Sequence, residues 1–176
     1  MQTTVTGGAL RVALRFSPAK PQLQDSFAFL QRRFTPRTVF MDIGAAGVSE
    51  LALRAASYVE RVYALVVSGR FLHNVPVPCN LRLVRCDGVR IPVPEASIDV
   101  AWSGRFLEPL RADERLEHLK SVRRSLAPGG VYFCASRAPF REAGFCAVRC
   151  YAGSVRIPNA LAGAFSGAAL RFAALK

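Results

Sequence analysis

The sequence predicts an α/β protein whose mostly parallel sheet is covered by helices on both faces and ends in an antiparallel hairpin. Three observations carry that expectation. From Thr38 onward short apolar runs alternate with stretches of helical periodicity, the order of parallel crossover units. The run Val39-Phe40-Met41-Asp42-Ile43-Gly44-Ala45-Ala46-Gly47-Val48 ends in an acid and a turn of small residues before a helical stretch. Such a strand, tight turn and helix lets the backbone approach a nucleotide-like ligand. Near the end, two short runs flank Ala152-Gly153 over residues 147–157, a hairpin signal. The expected architecture is a Rossmann-like three-layer sandwich.

The elements follow in order. Residues 1–37 contain Gly7-Gly8, Pro18, Pro21 and Pro36 and read as an irregular lead-in. One short helix is expected there over 24–33, where Phe27, Leu30 and Phe34 repeat at helical spacing. The first strand is expected over 38–43, and a helix over 48–58 places Leu51, Ala55 and Tyr58 on one face. Strands follow over 61–67 and 81–86, with Asp87-Gly88 marking a turn, and a fourth strand over 97–103. Leu116, Leu119, Val122 and Leu126 are in register on a helix over 113–126, which Pro128-Gly129-Gly130 stops before a fifth strand over 131–135.

After the hairpin, Asn159 reads as the cap of a last helix over 160–175, apolar nearly all round. Packing on the sheet edge is expected for it, with a homodimer contact or a membrane-surface contact as the alternatives. The chain thus divides into a lead-in over 1–37, a main domain over 38–158 and a C-terminal helix over 159–176.

Composition limits the function classes. A chain of 176 residues fits one domain. No apolar run reaches the roughly 18 charge-free residues of a membrane span. The net charge is +12, which points toward nucleic acid or an anionic surface. Against that, the arginines are scattered, with short pairs only at Arg32-Arg33 and Arg123-Arg124, and no aromatic residues alternate with them as a stacking groove requires. The five cysteines (Cys79, Cys86, Cys134, Cys146, Cys150) form no CxxC pair and read as reduced, buried thiols of a cytoplasmic protein. With His73 and His118 as the only histidines, a metal centre or a serine-type triad has little raw material, and both read as structural or surface residues.

Four motifs, carried by three stretches, together resemble a known family. Residues 34–45 (Phe-Thr-Pro-Arg-Thr-Val-Phe-Met-Asp-Ile-Gly-Ala) resemble the first motif of the type 11 family of class I S-adenosylmethionine-dependent methyltransferases. Residues 87–100, from Asp87-Gly88 through Ser97-Ile98-Asp99-Val100, resemble the family's acidic turn and fourth strand. Residues 125–132, with Pro128-Gly129-Gly130 at their centre, resemble its joint between helix and fifth strand. The likeness spans about residues 34–158.

The resemblance implies S-adenosylmethionine as cofactor and gives each position a role. Asp42 would orient the amino-acid end of the cofactor, directly or through water. Gly44, Ala45 and Ala46 would line its methionine and ribose portions. Val66 stands where relatives carry an acid that accepts from both ribose hydroxyls. Asp87 would accept from the adenine amino group, and Gly88 would offer a backbone N–H. Trp102 to Arg105 would face the sulfonium and the acceptor. Duller roles compete: Asp42 as a helix cap, Asp87-Gly88 as a plain turn, Ser97 and Asp99 as strand-start residues, and Glu108 as structural.

The sequence also departs from the family. Ala46 and Val48 replace motif glycines, with Gly47 displaced between them; Val66 replaces the ribose-binding acid; and Ser136-Arg137-Ala138-Pro139 is nearly all that remains of the segment that closes over the acceptor. Two functions follow. The first is methyl transfer to a small-molecule, glycan or lipid-linked acceptor, with no catalytic side chain identified. The second is a non-catalytic binding or assembly module on the same scaffold. RNA binding or modification rests on charge alone.

Overall fold

The computed structural model describes residues 21–45, 48–67, 76–160 and 170–176. Its elements are α1 (Pro21–Gln31), β1 (Val39–Ala45), α2 (Glu50–Ala55), β2 (Arg61–Val66), β3 (Leu81–Arg85), β4 (Ile98–Trp102), α3 (Ala112–Ser125), β5 (Leu126–Cys134), β6 (Ala147–Ala152), β7 (Val155–Ile157) and β8 (Leu170–Leu175). One sheet holds all eight strands in the order β3-β2-β1-β4-β5-β8-β6-β7. Strands β1 to β5 pair in parallel, and β8, β6 and β7 pair antiparallel. The winding direction reverses between β1 and β4, which opens a crevice at the carboxyl ends of these strands.

Strand alternation builds two cores. Met41, Ile43, Leu65 and Tyr132 pack with Leu119 and Val122 of α3 and with Ile91 of the connection after β3. Phe40, Val62, Ala64, Val100 and Phe133 face the other way, against Phe27 and Leu30 of α1 and Leu51, Ala52 and Ala55 of α2. A strand buried on both faces needs apolar residues at nearly every position, which is why β2 reads Arg-Val-Tyr-Ala-Leu-Val.

Helix α2 is shorter than the expected 48–58. Ser49 caps its start, accepting from the Ala52 N–H at 2.9 Å. Asn80 takes up the carbonyls past its end, donating to Ala56 at 2.9 Å and Val59 at 3.0 Å. These caps satisfy backbone groups that a longer helix would have paired. Helix α3 keeps acids in its first turn and Arg123 and Arg124 in its last, in the sense its dipole favours. It ends at Ser125, before Pro128-Gly129-Gly130, and those residues lie within β5. The β4–β5 register shifts there, from Ile98 opposite Leu126 to Val100 opposite Val131.

The C-terminal segment corrects the sequence expectation. Leu170–Leu175 is a strand, not the end of a helix, and residues 161–169 of the expected helix lie outside the described residues. Strand β8 runs between β5 and β6, pairing Phe172 with Cys134 on one side and Cys150 on the other. The apolar-all-round pattern that reads as a helix belongs to a strand buried on both faces, and periodicity alone does not separate the two. Residues 170–175 of the expected 159–176 helical unit are therefore a strand of the main sheet. Phe172, Ala173 and Ala174 of that strand are buried within the chain.

The cysteines are also less uniform than expected. Cys134 and Cys150 are buried, but Cys79 and Cys146 are exposed, in the connections just before β3 and β6. All five are free. Among the described residues no helix is long and apolar enough to cross a membrane.

Candidate functional site

The described members of the predicted set gather on one rim, at the carboxyl ends of β1 to β4. Asp42 pairs across β1 with Ala64 of β2 and Trp102 of β4. Val66 ends β2 opposite Ala45 and Arg85, and Asp87-Gly88 follows β3. Ala46 lies outside the described residues, as do Gly47, Ser68 and His73.

Asp42 is 5% exposed. Ser49 Oγ donates to its Oδ2 in a short hydrogen bond, so one hydroxyl caps α2 and holds the carboxylate. Burial pushes Asp42 up from 3.8 to about 6, and the Ser49 bond offsets part of that. The group is ionised at neutral pH in a place that resists the charge. Gly44 has φ +91°, the left-handed region open to glycine. Its vacant Cβ position lies only 2.5 Å from Phe106 Cδ2.

Asp87 is exposed, and its Oδ1 accepts from the N–H groups of Val89 at 2.8 Å and Arg90 at 2.7 Å. Those bonds hold its carboxyl below the usual aspartate range. The turn reading of Asp87 therefore holds geometrically, and the same bonds fix its carboxylate on the rim. Gly88 has φ +87°, with Val67 Cγ1 and Phe106 Cζ each 3.1 Å from its vacant Cβ position. Beneath it, His118 Nδ1 donates to the Gly88 carbonyl at 2.8 Å. Burial lowers His118 to about 4, so it is neutral at physiological pH.

Two predicted contacts are turned inward. Val66 is 1% exposed, and Trp102, at 8%, packs in the core on the α1–α2 side. Arg105 and Glu108 pair at 3.7 Å in solvent. Asp99 Oδ2 accepts from the Val39 N–H at 2.8 Å, which makes it a strand-start anchor. Ser103 Oγ and Tyr132 Oη lie 2.5 Å apart. Burial holds Tyr132 well above its ordinary value and pushes the Cys134 thiol up to about 12. Neither is poised as a nucleophile.

Three residues that the motifs do not flag shape this rim: Ser49, Phe106 and His118. Ser49 had a signal, a serine just before an apolar helical stretch. Phe106 and His118 had none, since their roles come from packing across the fold. Beyond the rim, a cavity of about 350 Å³ is lined by Arg137, Phe140, Arg141, Val148, Asn159 and Phe172 among others. Another, of about 420 Å³, lies near Phe34 and Tyr58, away from the rim.

The chain matches the sequence model described as a methyltransferase domain, type 11, over residues 41–134. No curated protein matches it in sequence. Its structure is similar to a chain from the complex between the Haloferax volcanii Trm112 methyltransferase activator and a methyltransferase. The TM-score is 0.63 and the identity 18%, over 88% of this chain and 90% of the other. An S-adenosylmethionine-dependent methyltransferase from Mesorhizobium loti gives 0.61 and 16%, over 89% and 96%. Phosphoethanolamine N-methyltransferase 1 of Haemonchus contortus, solved with phosphoethanolamine and S-adenosylhomocysteine, gives 0.52 and 19%, over 64% and 26%. At these identities the likeness is one of fold. With more than half of its length matched by the sequence model, this chain belongs to the type 11 methyltransferase domain family, whose fold is that of the S-adenosylmethionine-dependent enzymes.

Proposed function

We infer that the protein binds S-adenosylmethionine across the carboxyl ends of β1 to β3 and transfers its methyl group to a small-molecule, glycan or lipid-linked acceptor in the cytoplasm. The observation that carries this reading is the buried, Ser49-held Asp42 carboxylate beside the left-handed Gly44 turn. An ionised carboxylate there matches the ammonium of an amino-acid ligand. Asp42 would hold that end, with Gly44, Ala45 and Ala46 along the methionine and ribose. Asp87 and the Gly88 N–H would meet the adenine, and Trp102 would stiffen the floor at the end of β4. When bound, the cofactor supplies an electrophilic methyl on its sulfonium, so the protein needs no nucleophile of its own.

The fit is incomplete at the ribose. At position 66, where the family likeness expects the ribose-binding acid, a buried valine offers no acceptor; losing charge-assisted hydrogen bonds worth roughly 1.5–3 kcal/mol would weaken binding by about 10- to 100-fold. That same residue favours the second reading, a methyltransferase-fold module that binds or assembles without catalysis.

Titration with S-adenosylmethionine, followed by calorimetry and by the fluorescence of Trp102, the only tryptophan, tests the reading. The expected dissociation constant is no tighter than roughly tens of micromolar. No response up to millimolar cofactor, in folded protein, leaves only the non-catalytic module. For RNA, the expected result is no binding even at low salt, where phosphate contacts are strongest.

A further inference from the structure

Phe106 sits in the loop after β4, which Gly104 turns with φ +48°. The loop is tied at both ends: the Phe106 N–H donates to the Ser103 carbonyl at 2.8 Å, and the Ala135 N–H donates to the Gly104 carbonyl at 2.8 Å. The Phe106 ring reaches both glycine turns of the rim. A Cβ on Gly44 would stand 2.5 Å from its Cδ2, and a Cβ on Gly88 would stand 3.1 Å from its Cζ. Behind the ring lies the buried imidazole of His118, with centroids 5.2 Å apart. Two backbone positions that the family likeness would reserve for a ligand therefore have their open sides against one aromatic side chain.

We propose that Phe106 sets the affinity of this cleft, its ring filling the space between the β1 and β3 turns that an adenosine group would cross. The proposal rests on the cofactor reading above. A ligand entering along that line must displace the ring from Gly44, Gly88 and His118. The observed affinity is then the intrinsic affinity scaled by the fraction of molecules with the ring withdrawn. Phe106 takes no part in methyl transfer; it competes with the ligand for the same surface. Shortening the side chain removes the competitor and leaves Asp42, Asp87 and both glycines in place.

The test is calorimetric titration of S-adenosylhomocysteine into the wild-type protein, Phe106→Ala and Phe106→Leu. Phe106→Ala is expected to bind more tightly than wild type, with Phe106→Leu between them; a gain of about tenfold would correspond to a wild-type ratio of closed to open ring of about ten to one. Ligand-free Phe106→Ala should melt lower than wild type, yet gain more on ligand addition. If Phe106→Ala does not fold, the smaller gain of Phe106→Leu carries the comparison. Wild-type binding with equal or weaker binding by the folded variants overturns the proposal and leaves the cofactor reading intact. Binding by none of the folded proteins at millimolar ligand overturns both.

Discussion

Replacing Asp42 with asparagine measures what the fold gives up to keep a charge on the rim. Burial raises the folded-state value from 3.8 to about 6, so the native protein holds an extra proton across that interval. The stability this proton confers is complete below about pH 4 and is lost as pH rises through about 6, a loss of about 3 kcal/mol. His118 runs the opposite way. Its folded-state value falls from 6.5 to about 4, so the unfolded chain takes up that proton first. The stability from neutral His118 is complete above about pH 6.5 and is lost as pH falls toward 4, again by about 3 kcal/mol. In the wild type these two slopes nearly cancel between about pH 4 and 6.

Asp42→Asn removes one slope and exposes the other, while its side-chain oxygen still accepts from Ser49. Urea unfolding across about pH 4 to 8, followed by Trp102 fluorescence and circular dichroism, reads the difference. At the acid end the variant should match the wild type to within about 1 kcal/mol. At about pH 7.5 it should be more stable by up to about 3 kcal/mol, while S-adenosylmethionine binding weakens. His118→Gln should show the mirror image, stability falling between about pH 4 and 6. An Asp42→Asn protein less stable than wild type at neutral pH would refute the reasoning. The carboxylate would then be a net structural support, acting through its bond to the Ser49 cap.

Three further outcomes follow from the geometry. Val66→Asp should tighten S-adenosylmethionine by about tenfold through restored ribose contacts and lower ligand-free stability, because Val66 is buried; unchanged affinity in a titration would mean that this side chain does not face the ribose. Gly44→Ala should cost about 1–3 kcal/mol in urea unfolding from its positive φ alone, and more from the Phe106 ring beneath it; a double variant with Phe106→Ala should recover the steric part only. Phe172→Ala should cost about 3–5 kcal/mol, because its ring is buried against Phe140 on a strand paired on both sides; a change below about 1 kcal/mol would contradict β8 as a core strand.

Much of this fold was legible because each parallel strand carries its own signature. Val39-Phe40-Met41 and Val62-Tyr63-Ala64-Leu65 are apolar on both faces, and Asp87-Gly88 announces the turn that follows β3. Strand β8 was not legible. Leu170-Arg171-Phe172-Ala173-Ala174-Leu175 contains one arginine and four residues, two leucines and two alanines, that favour helix, and its burial on both faces arises only once β5 and β6 flank it. Arg171 is the decisive residue: its guanidinium reaches the Gly153 carbonyl at 2.7 Å and lies 4.9 Å over Phe29, contacts no local pattern encodes. The motif likeness placed Asp42, Gly44, Asp87 and Gly88 on one rim. It could not foresee Phe106, because an aromatic ring between two distant glycines is a property of the assembled sheet.

The rim itself weighs the enzyme against the relic. Valine at position 66 and the filled cleft favour a scaffold whose ligand handling has lapsed. Asp42 argues the other way, on energetic grounds. A carboxylate buried within β1 is ionised at neutral pH against about 3 kcal/mol of opposing burial, and no salt bridge to it is present among the described residues. Ser49 can cap α2 without it, since its oxygen accepts from the Ala52 N–H while its hydroxyl proton is free to turn elsewhere. Asparagine at that place would give the fold the same hydrogen bond without the charge. A structural account of position 42 therefore explains the hydrogen bond but not the charge, which is what the cofactor-binding role proposed for Asp42 would use. Catalysis can lapse with Asp42 in place, but binding of an amino-acid-like cation is what its charge is suited to.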